Sequence, residues 1–499
     1  MMRTEAQYRK DLEKMKTEIW MGGKKIEKFW DHPQIQAGIN SQAVTFRYAE
    51  DPKFEHMMTT TSHVTGERVN RFTAMYQSID DMWQMDVALR TMIHECGHCV
   101  GRCVGRDGLS AIGIVAYDVD QKYGTHYYEN FKNFLKEYQA KDLTSCGAVT
   151  DVKGDRSKRP GQQEDPDMYL RVVERRKDGI VVRGAKANIT TASYSEEIIA
   201  VPTRAFVKGE EDWSICFAIP TDTPGVKHIA MTSADDPTKP TEGPISNKYA
   251  FTDSLIIFDD VFVPEERIFL NGEWDEAARI GQLFGNFHRH SHCGCIPSRI
   301  DNLVGACQLI AKMNGIEKKA HVKNKLFELI KTGEMVYACG LAASHLGMET
   351  PSGIWQPNFI YSNLGKYYSG STYGREMEIC MDLAGGLSIT MPKDEDYMNP
   401  VTRPYMEKYL RGSTNFTTDE RIRAMRMMTD LCASEYSAVW MVGGVIGAGA
   451  PEAQKYSIMS NYDLTDQENY ARAYIGMEPL KKEEVAGQEH IPAGFKSKK

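Results

Sequence analysis

The texture of the chain changes twice, near residues 146 and 276, and that alternation most restricts the folds open to it. Up to about residue 145 apolar residues recur at helical steps: Met82, Met85, Leu89, Met92 and Ile93 follow a capping-box start at Ser78 and Asp81. From 146 the pattern shortens to strand-like runs bounded by Pro and Gly: MYLRVVERRKDGIVVRGAKA with a turn at Asp178-Gly179, WSICFAIP and SLIIFDDVFVP. After 276 three- and four-residue steps return over 300–313 and 321–346. A further capping box, Thr417 with Glu420, opens a helix running toward Gly443. A chain of 499 residues is long for one core. The expected class is α+β, with an N-terminal helical domain over 1–145, a β domain over 146–275 and a C-terminal helical bundle over 276–499.

Two segments carry soft metal ligands, HECGHCVGRC from His94 to Cys103 and HRHSHCGC from His288 to Cys295. The first falls late in the helix that starts near Ser78, where Cys99 and Cys103, four apart, would stack on one face. His288 and Cys295 are seven apart, two helical turns, or about 10 Å along the axis. Two such helices facing each other would offer three thiolates and one imidazole to a single inorganic centre. That set suits an iron–sulfur cluster or zinc. Zinc more often takes thiolates from tight knuckles, and Cys96-x-x-Cys99 has that spacing by itself. Helix cysteines are also commonly small buried residues that bind nothing. On pattern alone all three readings stand.

Composition narrows the partners. With a net charge of -8 and no dense Lys/Arg block outside the C-terminal KSKK, a nucleic-acid surface is not expected. The first twenty residues are charged throughout and lack an apolar core, so they read as neither signal peptide nor membrane anchor, and a cytoplasmic protein is expected. Eleven cysteines then read as thiols or ligands rather than a disulfide framework. The segment TDVKGDRSKRP, 150–160, is rich in donors and turn formers, as a loop on a phosphate or flavin edge would be, or a solvated turn. The glycine runs at 384–386 and 443–449 could admit a dinucleotide, a neighbouring helix, or nothing. Neither follows a strand and opens a helix, which excludes a Rossmann fingerprint.

KIEKFWDHPQI, DQKYGTHYYENF, VTDVKGDR, DGIVVRGAKA, FDDVFVPEERIFL, HVKNKLFELI, DLAGGLSITMP and GAGAPEAQ together resemble the 4-hydroxybutyryl-CoA dehydratases over nearly the whole chain. That group belongs to the 4-hydroxyphenylacetate 3-monooxygenase superfamily, with the acyl-CoA dehydrogenase fold. The resemblance implies a barrel-like middle domain, FAD between the β domain and the helical bundle, a four-iron four-sulfur cluster nearby, a small-molecule acyl-CoA substrate and a homotetramer. It puts the cluster on Cys99, Cys103, His288 and Cys295. It puts flavin contacts on Thr150, Asp151, Lys153, Gly154, Asp155, Arg156, Lys186 and Thr190, with Gly385 and Gly386 added from the first glycine run. The implied reaction is a radical elimination of water from a hydroxyacyl-CoA, with a double-bond shift of the vinylacetyl-CoA type, in which the cofactors carry the hard step. His288 is the implied base as well as a ligand, with His292 and Asp253 as further catalytic candidates. The alternatives are a flavin-dependent aromatic hydroxylase, whose relatives lack the cysteine set, and a zinc-stabilised non-catalytic relative.

Several positions depart from the pattern. His292 stands where the dehydratases have a tyrosine, Ile296 where they have a lysine, Gly101 where they have a glutamine, and Asp253 and Gly443 where they have glutamates. The expectation is a pocket less cationic and more apolar on one side, and a substrate larger or less polar than 4-hydroxybutyryl-CoA.

Overall fold

The structure, a computed structural model, describes residues 2–239 and 241–481, so the KSKK end lies outside the described residues. A short hairpin, β1 (Ile19–Met21) and β2 (Lys24–Ile26), precedes the helices α1 (Pro33–Glu50), α2 (Ile79–Cys96), α3 (Cys103–Tyr123) and α4 (Tyr127–Ala140). Ser78 caps α2, its hydroxyl accepting from the Asp81 N–H at 3.1 Å. Eight strands follow: β3 (Ser145–Ala148), β4 (Arg171–Arg176), β5 (Gly179–Thr190), β6 (Glu197–Ala200), β7 (Ile215–Pro220), β8 (Val226–Thr232), β9 (Thr252–Pro264) and β10 (Ile268–Asn271).

These strands make two sheets, ordered β2-β1-β8-β9-β5-β4 and β10-β7-β6-β3. Strand β1 runs parallel to β8, with Ile19 opposite His228, so the N-terminal segment lends two strands to a sheet built mostly from the middle of the chain. The sequence reading of that segment as wholly helical is corrected here. Three-residue strands are too short to display the alternation that identifies a strand. The hairpin around Asp178-Gly179 forms as expected, with Arg176 opposite Gly179.

The second half is helical: α5 (Ala277–Met313), α6 (Ala320–His345), α7 (Phe359–Ala384), α8 (Thr418–Cys432) and α9 (Glu435–Ile446). Helix α5 runs through the middle of the bundle, in contact with α2, α3, α6 and α7. It is buried on nearly every side over its central turns. That is why it reads as a broad apolar stretch rather than a stripe. Close approach of α2 needs Gly294, where a Cβ would stand 2.9 Å from the Asp86 Cα. The Thr417/Glu420 capping box is present, but its helix ends at Cys432, and Ser434 caps a separate helix, α9. Among the described residues no single helix is long and apolar enough to cross a membrane; Thr418–Cys432 with Glu435–Asn461, bent by 40°, meets that test only as a pair.

Candidate active site

Cys99 and Cys103 do not share a helix. Gly97 ends α2 in the left-handed conformation, φ +74°, its N–H bonded to the Ile93 carbonyl, and Gly101 turns the chain again at φ +71°. Glycine pays no Cβ penalty there, so a pattern that looks like one helix is two, joined by a loop. Cys99 lies in that loop and Cys103 is the first residue of α3. The thiols still meet, with Sγ atoms 3.9 Å apart. The Gly101 N–H donates to the Cys99 sulfur at 3.3 Å.

Across from them α5 presents His288. Ligand atoms of Cys103, Asp107 and His288 all lie within 4.8 Å of one another. The His288 Nδ1–H donates to Asp107 Oδ2 at 2.8 Å, and the Cys103 sulfur lies beside the ring. Burial opposes the protonated imidazole, yet Asp107 and Cys103 together raise His288 to about 9. Asp107, fully buried, pairs with the equally buried Arg106. It also accepts from the Ser291 hydroxyl at 3.1 Å, and the Arg106 guanidinium lies 4.2 Å from the Tyr76 ring centre. Cys103 is held well above the usual thiol range, first by its bond to Cys99 and then by burial, with His288 working the other way.

Cys295 lies two turns along α5 from His288, buried, with its Sγ 3.7 Å from the His292 carbonyl and near enough to the thiol pair for the charges of Cys103 and Lys366 to act on it. Burial pushes its thiol up. The other thiols of the two segments are turned elsewhere. The Cys293 sulfur lies against α7, where a Cβ on Gly365 would meet it at 2.6 Å, and Cys96 is turned to the His98 carbonyl at 2.8 Å. His292 packs on His288, ring centres 4.8 Å apart, with its Nδ1 buried and, among the described residues, without a hydrogen-bond partner. Burial, then Lys366 and His288, keeps it neutral far below the usual range. Asp253 accepts from its sheet neighbour Thr190 at 2.5 Å. Burial raises its carboxyl while Thr190 works against the shift. This edge adjoins the thiol loop, since a Cβ on Gly101 would stand 2.5 Å from the Thr191 methyl.

The loop after β3 is braced internally. Lys186 donates to Asp151 at 2.5 Å and to the Val149 and Val201 carbonyls. Asp151 also accepts from Thr203, and the Thr150 carbonyl accepts from the Ala187 N–H. Lys153 and Gly154 are left-handed, φ +73° and +51°, and Asp155 and Arg156 are exposed. Gly385 ends α7 at φ +74°, and nothing lies within 4 Å of a Cβ built on it or on Gly386. The second glycine run serves neighbouring helices. A Cβ on Gly444 would strike the Tyr373 ring at 2.7 Å and one on Gly449 would strike Arg289 at 2.7 Å. Lys366 is fully buried and its ammonium donates to the Gly443 and Gly444 carbonyls. Burial lowers its pKa to about 8.

Sequence reasoning missed Asp107, Arg106, Ser291 and Lys366. Asp107 was findable, four residues after Cys103 on one helix face. Lys366 was not, because a lone lysine in an apolar helix carries no local signature.

The sequence matches the family described as 4-hydroxyphenylacetate 3-hydroxylase, its N-terminal part over residues 4–270 and its C-terminal part over 277–476. It is 36% identical to the 4-hydroxybutyryl-CoA dehydratase/vinylacetyl-CoA-Delta-isomerase of Clostridium aminobutyricum over 96% of this chain and 100% of that one. A solved oxygen-tolerant archaeal 4-hydroxybutyryl-CoA dehydratase from N. maritimus superposes with a TM-score of 0.92 at 30% identity, covering 98% of each chain. The oxygenase component of a 4-hydroxyphenylacetate 3-monooxygenase, solved with FAD, shares the fold at a TM-score of 0.84 and 24% identity, over 95% of this chain and 98% of that one.

Proposed function

The chain belongs to the 4-hydroxyphenylacetate 3-hydroxylase family, and we propose that it is a dehydratase of that family, eliminating water from 4-hydroxybutyryl-CoA or a close hydroxyacyl-CoA and shifting the double bond of the product. The observation that supports this reading is the meeting of Cys99 with Cys103 and of Cys103 with His288, with Cys295 two turns along the helix that bears His288. A phenol hydroxylase has no use for such a set, and zinc alone leaves the flavin-binding relatives unexplained.

The donors fit a four-iron four-sulfur cluster in kind: three thiols, one imidazole already oriented by a buried carboxylate, and a backbone N–H aimed at one sulfur. FAD is supported by the related structure solved with it, and Thr150, Lys153, Gly154, Asp155, Arg156 and Thr190 are the side chains and backbone offered to it, with Gly385 and Gly386 as open backbone. Asp151 and Lys186 then stiffen the loop. When bound, the two groups would supply electron transfer and a Lewis acid. The chain's own part is proton handling and orientation. His288, held at Nδ1 by Asp107, can hold or pass a proton beside Cys103. His292 offers a neutral nitrogen with no other partner among the described residues, and Asp253, raised by burial, can keep its proton at a pH where an exposed aspartate would lose it.

The reading includes the acyl-CoA dehydrogenase-type layout, with divisions at 145/146 and 275/276, a cytoplasmic setting and a homotetramer. The last is supported by exposed apolar side chains on the bundle, among them Phe327, Ile330 and Met335 on α6 and Met441, Val442 and Ile446 on α9. The test is anoxic purification with FAD, iron and acid-labile sulfide analysis, then an assay of 4-hydroxybutyryl-CoA for crotonyl-CoA formation. Cys99→Ala, Cys103→Ala and Cys295→Ala should lose the iron, whereas Cys96→Ala and Cys293→Ala should keep it, because those thiols face elsewhere. Stoichiometric zinc, or iron retained in all five variants, overturns the reading.

A further inference from the structure

His98 is buried between Gly97, which ends α2, and Cys99, and on it three distant parts of the chain converge. Its Nδ1 lies 2.5 Å from the Cys99 carbonyl. A carbonyl only accepts, so Nδ1 carries a hydrogen, and Nε2 faces the Ser41 hydroxyl of α1 at 3.3 Å. The ring stacks on Trp440 of α9, centres 4.7 Å apart at 22°. Phe251, just before β9, and Tyr436 of α9 meet it edge-on at 4.8 and 5.3 Å. Stacked and edge-on contacts are both favourable geometries, so the three rings close the imidazole into one orientation.

The same corner of the bundle grips the backbone on the other side of Gly97. The Tyr436 hydroxyl donates to the Cys96 carbonyl at 3.3 Å, and a Cβ on Gly97 would stand 3.3 Å from that hydroxyl and 3.5 Å from the Ile245 side chain. Ile245 is in turn pinned by Asp430 of α8, whose carboxylate accepts from the Ile245 and Ser246 N–H groups at 2.8 and 3.0 Å. We infer that His98 is a positioning residue for Cys99: clamped by Phe251, Tyr436 and Trp440, it fixes the Cys99 carbonyl through Nδ1–H and so sets the thiol beside Cys103. The thiol pair then depends on the seating of α8 and α9 against the turn between α2 and α3. The position of Cys99 is independent of what binds there; that it serves a cluster rests on the reading above. A histidine that only filled space would need its ring contacts and not its bond to Cys99.

The two nitrogens can be removed one at a time. The amide of His98→Asn puts an N–H where Nδ1 stands and keeps the bond to Cys99, whereas His98→Gln reaches toward Ser41 and loses it. In full-length, anoxically purified protein, iron retention against a chelator should fall about 10–100-fold in His98→Gln, as when an outer partner of a ligand is removed, and stay near the parent in His98→Asn. After the iron is stripped, alkylation of Cys99, followed by peptide mass spectrometry, should be severalfold faster in His98→Gln than in the parent or His98→Asn, with Cys96 and Cys293 unchanged. Equal iron retention in the two variants, whether both keep the metal or both lose it, overturns the inference. If a His98 variant does not fold, Trp440→Ala, at a half-buried position, carries the test: it should lose iron and free Cys99, with Trp440→Phe near the parent, and an unchanged Cys99 rate overturns the inference. Absence of iron from the unsubstituted protein overturns the cluster reading alone; equal Cys99 rates in His98→Asn and His98→Gln would then overturn this one.

Discussion

Asp107→Asn should separate folding stability from metal affinity. Asp107 and Arg106 are both fully buried, so solvent screening does not discount their attraction, and breaking such a pair by removing one partner costs about 3–5 kcal/mol. The Arg106 guanidinium keeps the Tyr76 ring 4.2 Å away and the Ser291 hydroxyl at 2.9 Å. A desolvated cation over a ring is worth up to about 2 kcal/mol, so the expected loss is at the lower end, about 3 kcal/mol. Removing both charges in Arg106→Met/Asp107→Asn should recover most of it, to within about 1 kcal/mol of the parent. Metal affinity should not recover. Both proteins lack the carboxylate that orients His288, and loss of such an outer partner costs roughly 10–100-fold in affinity. The assays are denaturant unfolding of the apoprotein, compared by midpoint and slope, and iron retention against a chelator. A loss under about 1 kcal/mol in Asp107→Asn would refute the buried-pair argument. Full iron affinity in the double variant would refute the orienting role.

Gly101→Ala forces a side chain into a left-handed residue, at about 1–2 kcal/mol, and drives its Cβ to 2.5 Å from the Thr191 methyl, adding about 1–3 kcal/mol of overpacking. Thermal unfolding should show the loss and iron analysis a weakened site; Thr191→Ser should return part of both, and a neutral Gly101→Ala would mean the loop is not held as described. Glu197 supplies a pH dependence: burial first raises its pKa to about 7, against the pull of Arg267. The native state then binds a proton that the unfolded state has released, so stability falls as pH rises from about 4.5 to about 7, by on the order of 3 kcal/mol. Glu197→Gln should flatten that slope in unfolding experiments across the window, and an unchanged slope would rule Glu197 out as its source.

Much of this protein was readable in one dimension. Repeated apolar spacing, the Ser78 N-cap and the Thr417/Glu420 capping box located long helices, because local hydrogen bonding and one-sided burial leave their mark on neighbouring residues; at Ser78 the reciprocal half of the expected box is missing, since Asp81 accepts from the Gln77 N–H instead. Cys99, Cys103, His288 and Cys295 could be offered as one soft ligand set from residue type, with zinc and unligated thiols still open; the structure sets the Cys99 and Cys103 sulfurs 3.9 Å apart and groups Cys103 with His288 and Asp107. What the sequence could not convey depends on partners distant along the chain. Gly97 and Gly101 read equally well as helix interior until their positive φ angles are seen, so the single cysteine helix was wrong although the thiols still meet. The two short strands at 19–26 join the sheet only because β8 lies beside β1, which in turn holds β2 at the edge. The same holds for Asp107, which matters because His288 arrives from a helix 181 residues away, and for Lys366, whose ammonium meets the Gly443 and Gly444 carbonyls only when α7 packs against α9. Periodicity records which face of an element is buried; only the tertiary fold decides what that face meets.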